Sequence, residues 1–119
     1  MRWATPVMTF RRTATQDTEL AGQQIRKGDW LALIYCSGNR DEKVFGNPDT
    51  FDITRDPNSH IGFGGGGPHA CMGNLMAKKQ LRAILEQLLL RAPGLEVGDP
   101  EYLVGDFVRA VKRMPYTLR

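Results

Sequence analysis

The sequence predicts a small α+β fold, with short β-segments and one long helix arranged about a glycine-rich loop. Three observations carry this. The stretch Phe63-Gly64-Gly65-Gly66-Gly67-Pro68-His69-Ala70-Cys71-Met72-Gly73 sets a run of glycines before one histidine, one cysteine and a further glycine. Such a run lets the backbone take positive φ angles and come close to a flat ligand or an anion. After Cys71 the pattern turns helical: Leu75, Met76, Leu81, Ile84, Leu85 and Leu88 recur at spacings of three and four, and Lys78, Lys79, Arg82, Glu86 and Gln87 take the other face. Before and after these segments, β-branched and aromatic clusters separated by turn residues read as strands.

Taken in order, Thr9 to Thr15 is a strand, Asp17 to Gly22 a turn, and Gln23 to Asp29 a second strand and turn. Trp30-Leu31-Ala32-Leu33-Ile34-Tyr35-Cys36 is an apolar run of strand length, expected to be buried on both faces, with Cys36 a small core residue at its end. Ser37 to Val44 has a short helical pattern, and Gly46-Asn47-Pro48-Asp49 is a turn. Asp52 to His60 is an irregular loop in which His60 has a surface or structural role. The long helix stops at Ala92-Pro93-Gly94. Ala92 to Pro100 is rich in turn residues, and Tyr102 to Leu118 forms a terminal hairpin.

Composition narrows the class. At 119 residues, with 41% hydrophobic and 24% charged residues, the chain is globular and large enough for one modest core. No apolar run approaches a membrane span, and the first residues lack the apolar core of a signal peptide. Two cysteines in unlike settings give no disulfide framework, so a reducing cytoplasm is expected. A net charge of +3, evenly spread, argues against a nucleic-acid partner.

The glycine loop admits several chemistries. A thiol at a helix start, below unpaired N–H groups and the positive end of the helix dipole, suits a metal ligand or a nucleophile. A phosphate cradle would end in Gly-Lys-Ser/Thr, where this chain has Pro68-His69-Ala70-Cys71. Structural zinc needs about four ligands at paired spacings, and only Cys36, Cys71, His60 and His69 are on offer. A nucleophilic cysteine needs a base and an orienting group, and His69 lies too close along a tight loop to aim at the same atom. Residue by residue, the simplest account is a glycine turn followed by a buried cysteine in a core helix.

As a whole the stretch is more specific than its parts. It closely resembles the haem-binding loop of the cytochrome P450 family, where Phe, glycines, a His or Arg, one Cys and a Gly precede a long helix. Phe63 lies eight residues before Cys71, one more than the commonest family spacing, and this longer form resembles actinobacterial sterol- and lipid-hydroxylating members. The resemblance implies haem b as cofactor, with Cys71 as the proximal thiolate and metal ligand. It implies that His69 and Arg12, with Arg11 as the lesser candidate, hold the propionates. Phe63, Gly67, Gly73 and Ala77 complete the cofactor site. Val7 and Met8, with Pro6, would line the substrate pocket from one side, and Phe107 and Val108 from the other.

The implied fold is the C-terminal part of a mainly helical domain, residues 1–119 being a truncated portion covering about its last third. Arg2 falls where the arginine of a Glu-x-x-Arg pair belongs, and Arg55 where the second arginine of a buried ion-paired triad belongs. Their carboxylate would precede Met1. Leaving a buried charge without its partner costs about 3–5 kcal/mol; equally, Arg2 is a frayed, solvated residue. The implied reaction inserts one oxygen atom from O2 into a C–H bond of a hydrophobic lipid- or steroid-like molecule. Electrons would come from a ferredoxin-type partner, for which Lys78, Lys79 and Arg82 offer a basic face. The alternatives are a truncated, non-catalytic haem-binding or merely vestigial fragment and an anion-binding module. No segment corresponds to the family's distal helix, so the 119-residue chain is expected to be inactive by itself.

Overall fold

Antiparallel pairing of short strands organises the N-terminal half of the chain. The computed structural model describes all 119 residues, Met1–Arg119. They divide into two compact units, Met1–Gly62 with Gly105–Arg109, and Phe63–Val104 with Ala110–Arg119.

In the first unit, β1 (Thr9–Thr13) is followed by β2 (Thr18–Leu20), β3 (Gln23–Ile25) and β4 (Trp30–Ile34). β2 and β3 form a hairpin in which Leu20 faces Gln23. The expected turn at Asp17 to Gly22 is therefore corrected. Thr18–Leu20 within it is strand, and the reversal is made by Ala21 and Gly22 alone, at φ +49° and +82°. Two successive positive φ angles twist a two-residue loop in the sense the flanking strands require. β1 and β4 pair antiparallel from Thr9↔Ile34 to Thr13↔Trp30. With one neighbour only, β4 alternates between exposed and half-buried residues instead of being covered on both faces, and Trp30 is 73% exposed. Cys36 belongs not to the strand but to the short helix α1 (Tyr35–Gly38).

The centre of this unit is polar. Phe45 is the one buried large hydrophobic side chain, and around it Arg2, Thr5 and Asn39 are buried. Arg2 Nη1 donates to the carbonyls of Asn39 at 2.8 Å and Pro48 at 2.9 Å, and its guanidinium lies 4.9 Å from the Phe45 ring centroid. Asn39 Nδ2 donates to Thr5 Oγ1 at 3.0 Å, while its Oδ1 accepts the Ile61 N–H at 2.8 Å. Thr5 Oγ1 in turn donates to the Arg2 carbonyl at 2.6 Å. Arg55 reaches the same stretch of main chain, donating to the Gly46 and Asn47 carbonyls at 2.7 and 3.0 Å, and its buried Nε has no acceptor. Of the two readings of Arg2, the solvated one is overturned. Burial holds its guanidinium below its ordinary pKa, and the charges of Arg55 and Arg40 add to the effect. Carbonyl dipoles stand where a carboxylate was expected.

In the second unit the glycine loop contains a 3₁₀ turn, Gly67–His69, and leads into α2 (Asn74–Arg91). The helix ends where Pro93 and Gly94 predict, with the Ala92 N–H bonded to the Leu88 carbonyl. β5 (Leu95–Val97), β6 (Glu101–Tyr102), β7 (Val111–Arg113) and β8 (Tyr116–Leu118) follow. The terminal hairpin is formed by β6 and β7, while β8 returns to pair with β5.

The expected amphipathic burial of α2 is not found. No residue in it is buried, and Leu75, Met76, Leu89 and Leu90 are each at least 65% exposed. By the scaling of surface with mass, two separate bodies of half this size would expose about 7,800 Å² together, whereas the chain exposes 9906 Å². Its apolar residues outnumber the contacts that its own segments provide. No helix is long and apolar enough to cross a membrane.

Candidate functional site

The loop before α2 is closed by main-chain bonds that its glycines make possible. The Cys71 N–H donates to the Phe63 carbonyl at 2.8 Å, and the Ala70 N–H to the Gly67 carbonyl at 3.1 Å. Gly64, Gly66 and Gly67 take φ of +88°, +98° and +70°. At Gly64 a Cβ would stand 3.1 Å from the His69 carbonyl oxygen, whereas at Gly66 and Gly67 it would meet nothing within 4 Å. Positive φ is thus required at three positions, and close approach of the backbone at Gly64 only.

Cys71 leads directly into the helix. Its carbonyl accepts the Asn74 N–H at 3.2 Å, and the Gly73 carbonyl accepts the Ala77 N–H at 2.9 Å. The N–H groups of Met72 and Gly73 donate to no main-chain acceptor, as expected of a helix start. A Cβ on Gly73 would lie 3.9 Å from Cys71 Sγ, which sets that glycine beside the sulfur. The thiol is free and exposed. The account of Cys71 as a buried core residue is therefore corrected: the loop presents the sulfur and does not enclose it. No three metal-ligating side chains converge anywhere in the chain, so a structural zinc site has no ligand set here.

The other expected site residues fall in both units. In the second, His69 is an exposed residue at the end of the 3₁₀ turn, and Ala77 is half-buried in the first turns of α2. The half-buried ring of Phe63 lies 5.5 Å from the Lys78 ammonium. Arg82 is paired with Glu86 at 2.8 Å, and that contact raises its pKa. Of the three expected docking cations, Lys78 and Arg82 thus already have partners. His60 is structural, its Nδ1 accepting the Gly62 N–H at 3.1 Å.

In the first unit, the strand arginines are now distinguished. Arg11 lies with its guanidinium 4.4 Å from the Trp30 ring centroid. Arg12 has no carboxylate partner; Nη1 donates to the Arg11 carbonyl at 2.9 Å, and the guanidinium lies 5.8 Å from the Phe10 ring centroid. The four expected substrate-lining residues come together. Val7 and Val108 form an antiparallel bridge, the Met8 N–H donates to the Phe107 carbonyl at 2.8 Å, and the Arg109 N–H donates to the Pro6 carbonyl at 2.7 Å. Phe10 was not expected in this group. Its ring forms a T-shaped pair with Phe107 at 5.6 Å and a tilted pair with Tyr35 at 5.7 Å. The only sequence signal for it is that Phe10 and Arg12 are two apart on a strand and so share a face.

Comparison with known proteins extends this geometry. Residues 1–92 match the family profile described as Cytochrome P450. The methyl-branched lipid omega-hydroxylase of Mycobacterium tuberculosis is 44% identical over 98% of this chain, and the chain covers 28% of that protein. The steroid C26-monooxygenase of Rhodococcus jostii is 43% identical over 94% of the chain, which covers 24% of it. Among solved structures, a Mycobacterium marinum cytochrome P450 in complex with pseudoionone superposes with a TM-score of 0.94 at 54% identity. That match covers 98% of this chain and 28% of that one. The chain thus spans under a third of the length of each of these relatives. On the profile, the relatives and the superposition, it belongs to the cytochrome P450 family.

Proposed function

We propose that residues 1–119 form the C-terminal portion of a haem-binding monooxygenase domain, with Cys71 as the proximal ligand of the iron. The observation that carries the reading is the presentation of an exposed cysteine at a helix start by a loop clamped through the Phe63 carbonyl. Haem fits the residues present. A Cβ at Gly64 would press on the His69 carbonyl oxygen, three loop glycines take positive φ, and the N–H groups of Met72 and Gly73, next after Cys71 in the chain, have no main-chain acceptor. Those N–H groups would donate to a thiolate and tune its donor strength. Arg12 and His69 would each take a propionate carboxylate, Arg12 through two parallel hydrogen bonds. Phe63, Gly67, Gly73 and Ala77 would line the ring.

Bound there, the haem would supply oxygen activation and insertion of one oxygen atom into a C–H bond, the thiolate favouring O–O cleavage. The substrates named for the relatives, methyl-branched lipids and steroids, suit an apolar wall built from Val7, Met8, Phe107 and Val108. Electrons would arrive from a ferredoxin-type donor. The domain's other segments would cover the exposed apolar residues of α2. Reconstitution with hemin, followed by reduction and carbon monoxide, tests the ligand: a strongly red-shifted Soret band is expected, lost in Cys71→Ser. Persistence of that band in the variant would refute it.

A second reading, a haem-binding but non-catalytic chain, is favoured by the exposed surface of 9906 Å². Turnover of a sterol or branched lipid with a ferredoxin and its reductase separates the two. On the second reading the 119-residue chain forms no more product than free hemin.

A further inference from the structure

Phe10 occupies a position that neither the cysteine loop nor the pocket wall explains. It lies on β1, two residues before Arg12, so both side chains leave the same face of the strand. Its ring has three neighbours: Phe107 at 5.6 Å with planes at 84°, Tyr35 at 5.7 Å, and the Arg12 guanidinium at 5.8 Å. Phe107 belongs to the segment Gly105–Arg109, which is tied to the first unit by the Met8 and Arg109 amides and by Thr9 Oγ1 donating to the Asp106 carbonyl at 2.9 Å. Those bonds hold the backbone of the segment, and they open more often where the side chains around them are less packed. They do not fix the Phe107 ring, which is 53% exposed, and the one aromatic contact it makes is with Phe10. Arg12 is similarly underdetermined. Apart from one bond to a neighbouring carbonyl, the ring of Phe10 is its only partner.

We infer that Phe10 is a positioning residue that sets the Phe107 side chain and the Arg12 guanidinium against one ring. This inference rests on the reading above, in which Phe107 lines the substrate pocket and Arg12 binds a haem carboxylate. It adds that the two ends are coupled. An apolar ligand pressing on Phe107 shifts the ring of Phe10, and that ring has the Arg12 guanidinium 5.8 Å from its centroid. Edge-to-face ring pairs and exposed cation–π contacts each correspond to about a two- to tenfold equilibrium effect. The coupling is of that size, enough to make carboxylate grip depend on what fills the pocket.

The test uses two readouts, neither of them turnover. In the 119-residue chain, amide exchange is followed at Met8 and Arg109, with the Thr18–Ile25 hairpin as internal control. In the hemin-loaded chain, the rate of hemin loss to a scavenging apoprotein is measured for the parent, Phe10→Leu, Phe107→Leu, Arg12→Ala and the Phe10→Leu/Phe107→Leu pair. Phe10→Leu is expected to speed exchange at Met8 and Arg109 and hemin loss by about two- to tenfold, with the control hairpin unchanged. The pair should add little exchange beyond Phe10→Leu alone. If Phe10→Leu loosens the control hairpin as well, Phe107→Leu must give the local pattern from the other side of the contact. Unchanged exchange at both amides in both single variants overturns the inference. So does unchanged hemin loss in Phe10→Leu when Arg12→Ala does speed it. If Arg12→Ala itself leaves hemin loss unchanged, the assignment of Arg12 to a propionate falls, and the coupling with it.

Discussion

Alanine at Gly64 should damage the cysteine loop more than alanine at Gly66, although both glycines have similar positive φ, +88° and +98°. A side chain held at positive φ costs about 1–2 kcal/mol, offset by about 0.4–1 kcal/mol because alanine restricts the unfolded chain. For Gly66, whose ψ of −172° lies in a region that costs a side chain about 1–3 kcal/mol and whose Cβ would meet nothing within 4 Å, the net is about 1–2 kcal/mol, or roughly five- to thirtyfold in an equilibrium constant. At Gly64 a net strain of about 1 kcal/mol from positive φ is joined by a Cβ 3.1 Å from the His69 carbonyl oxygen. That oxygen must move by a few tenths of an ångström, and it belongs to the turn that leads to Cys71. Overpacking of this kind adds about 1–2 kcal/mol, giving a total near 2–3 kcal/mol, or about 30- to 150-fold. The assay is hemin titration of both variants by absorbance, with exchange of the Cys71 amide, which donates to Phe63, reporting on the loop itself. Equal hemin affinities for the two variants would refute the reasoning. So would a Gly64→Ala variant whose Cys71 amide is as protected as the parent's.

Asn39→Ala should destabilise the first unit by about 2–4 kcal/mol, because one buried and one part-buried hydrogen bond are lost and the Ile61 N–H is left without an acceptor; urea denaturation measures this, and a change under about 0.5 kcal/mol would contradict the polar hub. The Asp52 carboxylate is held below its ordinary pKa by hydrogen bonds from the Thr54 hydroxyl and N–H. Its contribution is therefore present above the ordinary carboxylate range and lost as pH falls below about 4. NMR titration of Thr54→Val should show Asp52 moving up toward its ordinary value. Reversing Lys79 to Glu should weaken ferredoxin binding several-fold at low salt, the effect fading near 0.15 M. Arg82→Glu should do less, since Arg82 already pairs with Glu86; equal effects at both positions, or none, would remove this face from docking.

What the sequence made legible depended on whether the physics was local. The bounds of α2, the loop before it and the β1 strand followed from periodicity, glycine and proline, which act over a few residues. The β2–β3 reversal was misplaced because polar Asp17, Thr18 and Glu19 look like a turn, while the residues able to take positive φ together are Ala21 and Gly22. Burial was misjudged wherever it depended on a covering layer. Trp30 to Ile34 reads as a central strand, yet it pairs with β1 alone. Asn39 gave no signal at all, since a polar residue becomes a core residue only through partners at positions 2, 5 and 61. Within the candidate site, Cys71 and its glycines were readable because the motif is contiguous. Phe10 was not, because its contact with Phe107 joins residues nearly a hundred positions apart.

The single buried large hydrophobic residue, Phe45, has a calorimetric consequence. The heat-capacity increment of unfolding comes mainly from newly hydrated apolar area, and for an ordinary chain of 119 residues it would be about 1.4–1.8 kcal/mol/K. Here most leucine, isoleucine and methionine side chains are hydrated before unfolding begins, so the increment and the denaturant slope should both be well below those of a chain this long. The stability curve would then be nearly flat with temperature, without the pronounced optimum near room temperature. When hemin or a covering polypeptide binds, that missing heat capacity should reappear as a large negative increment of association.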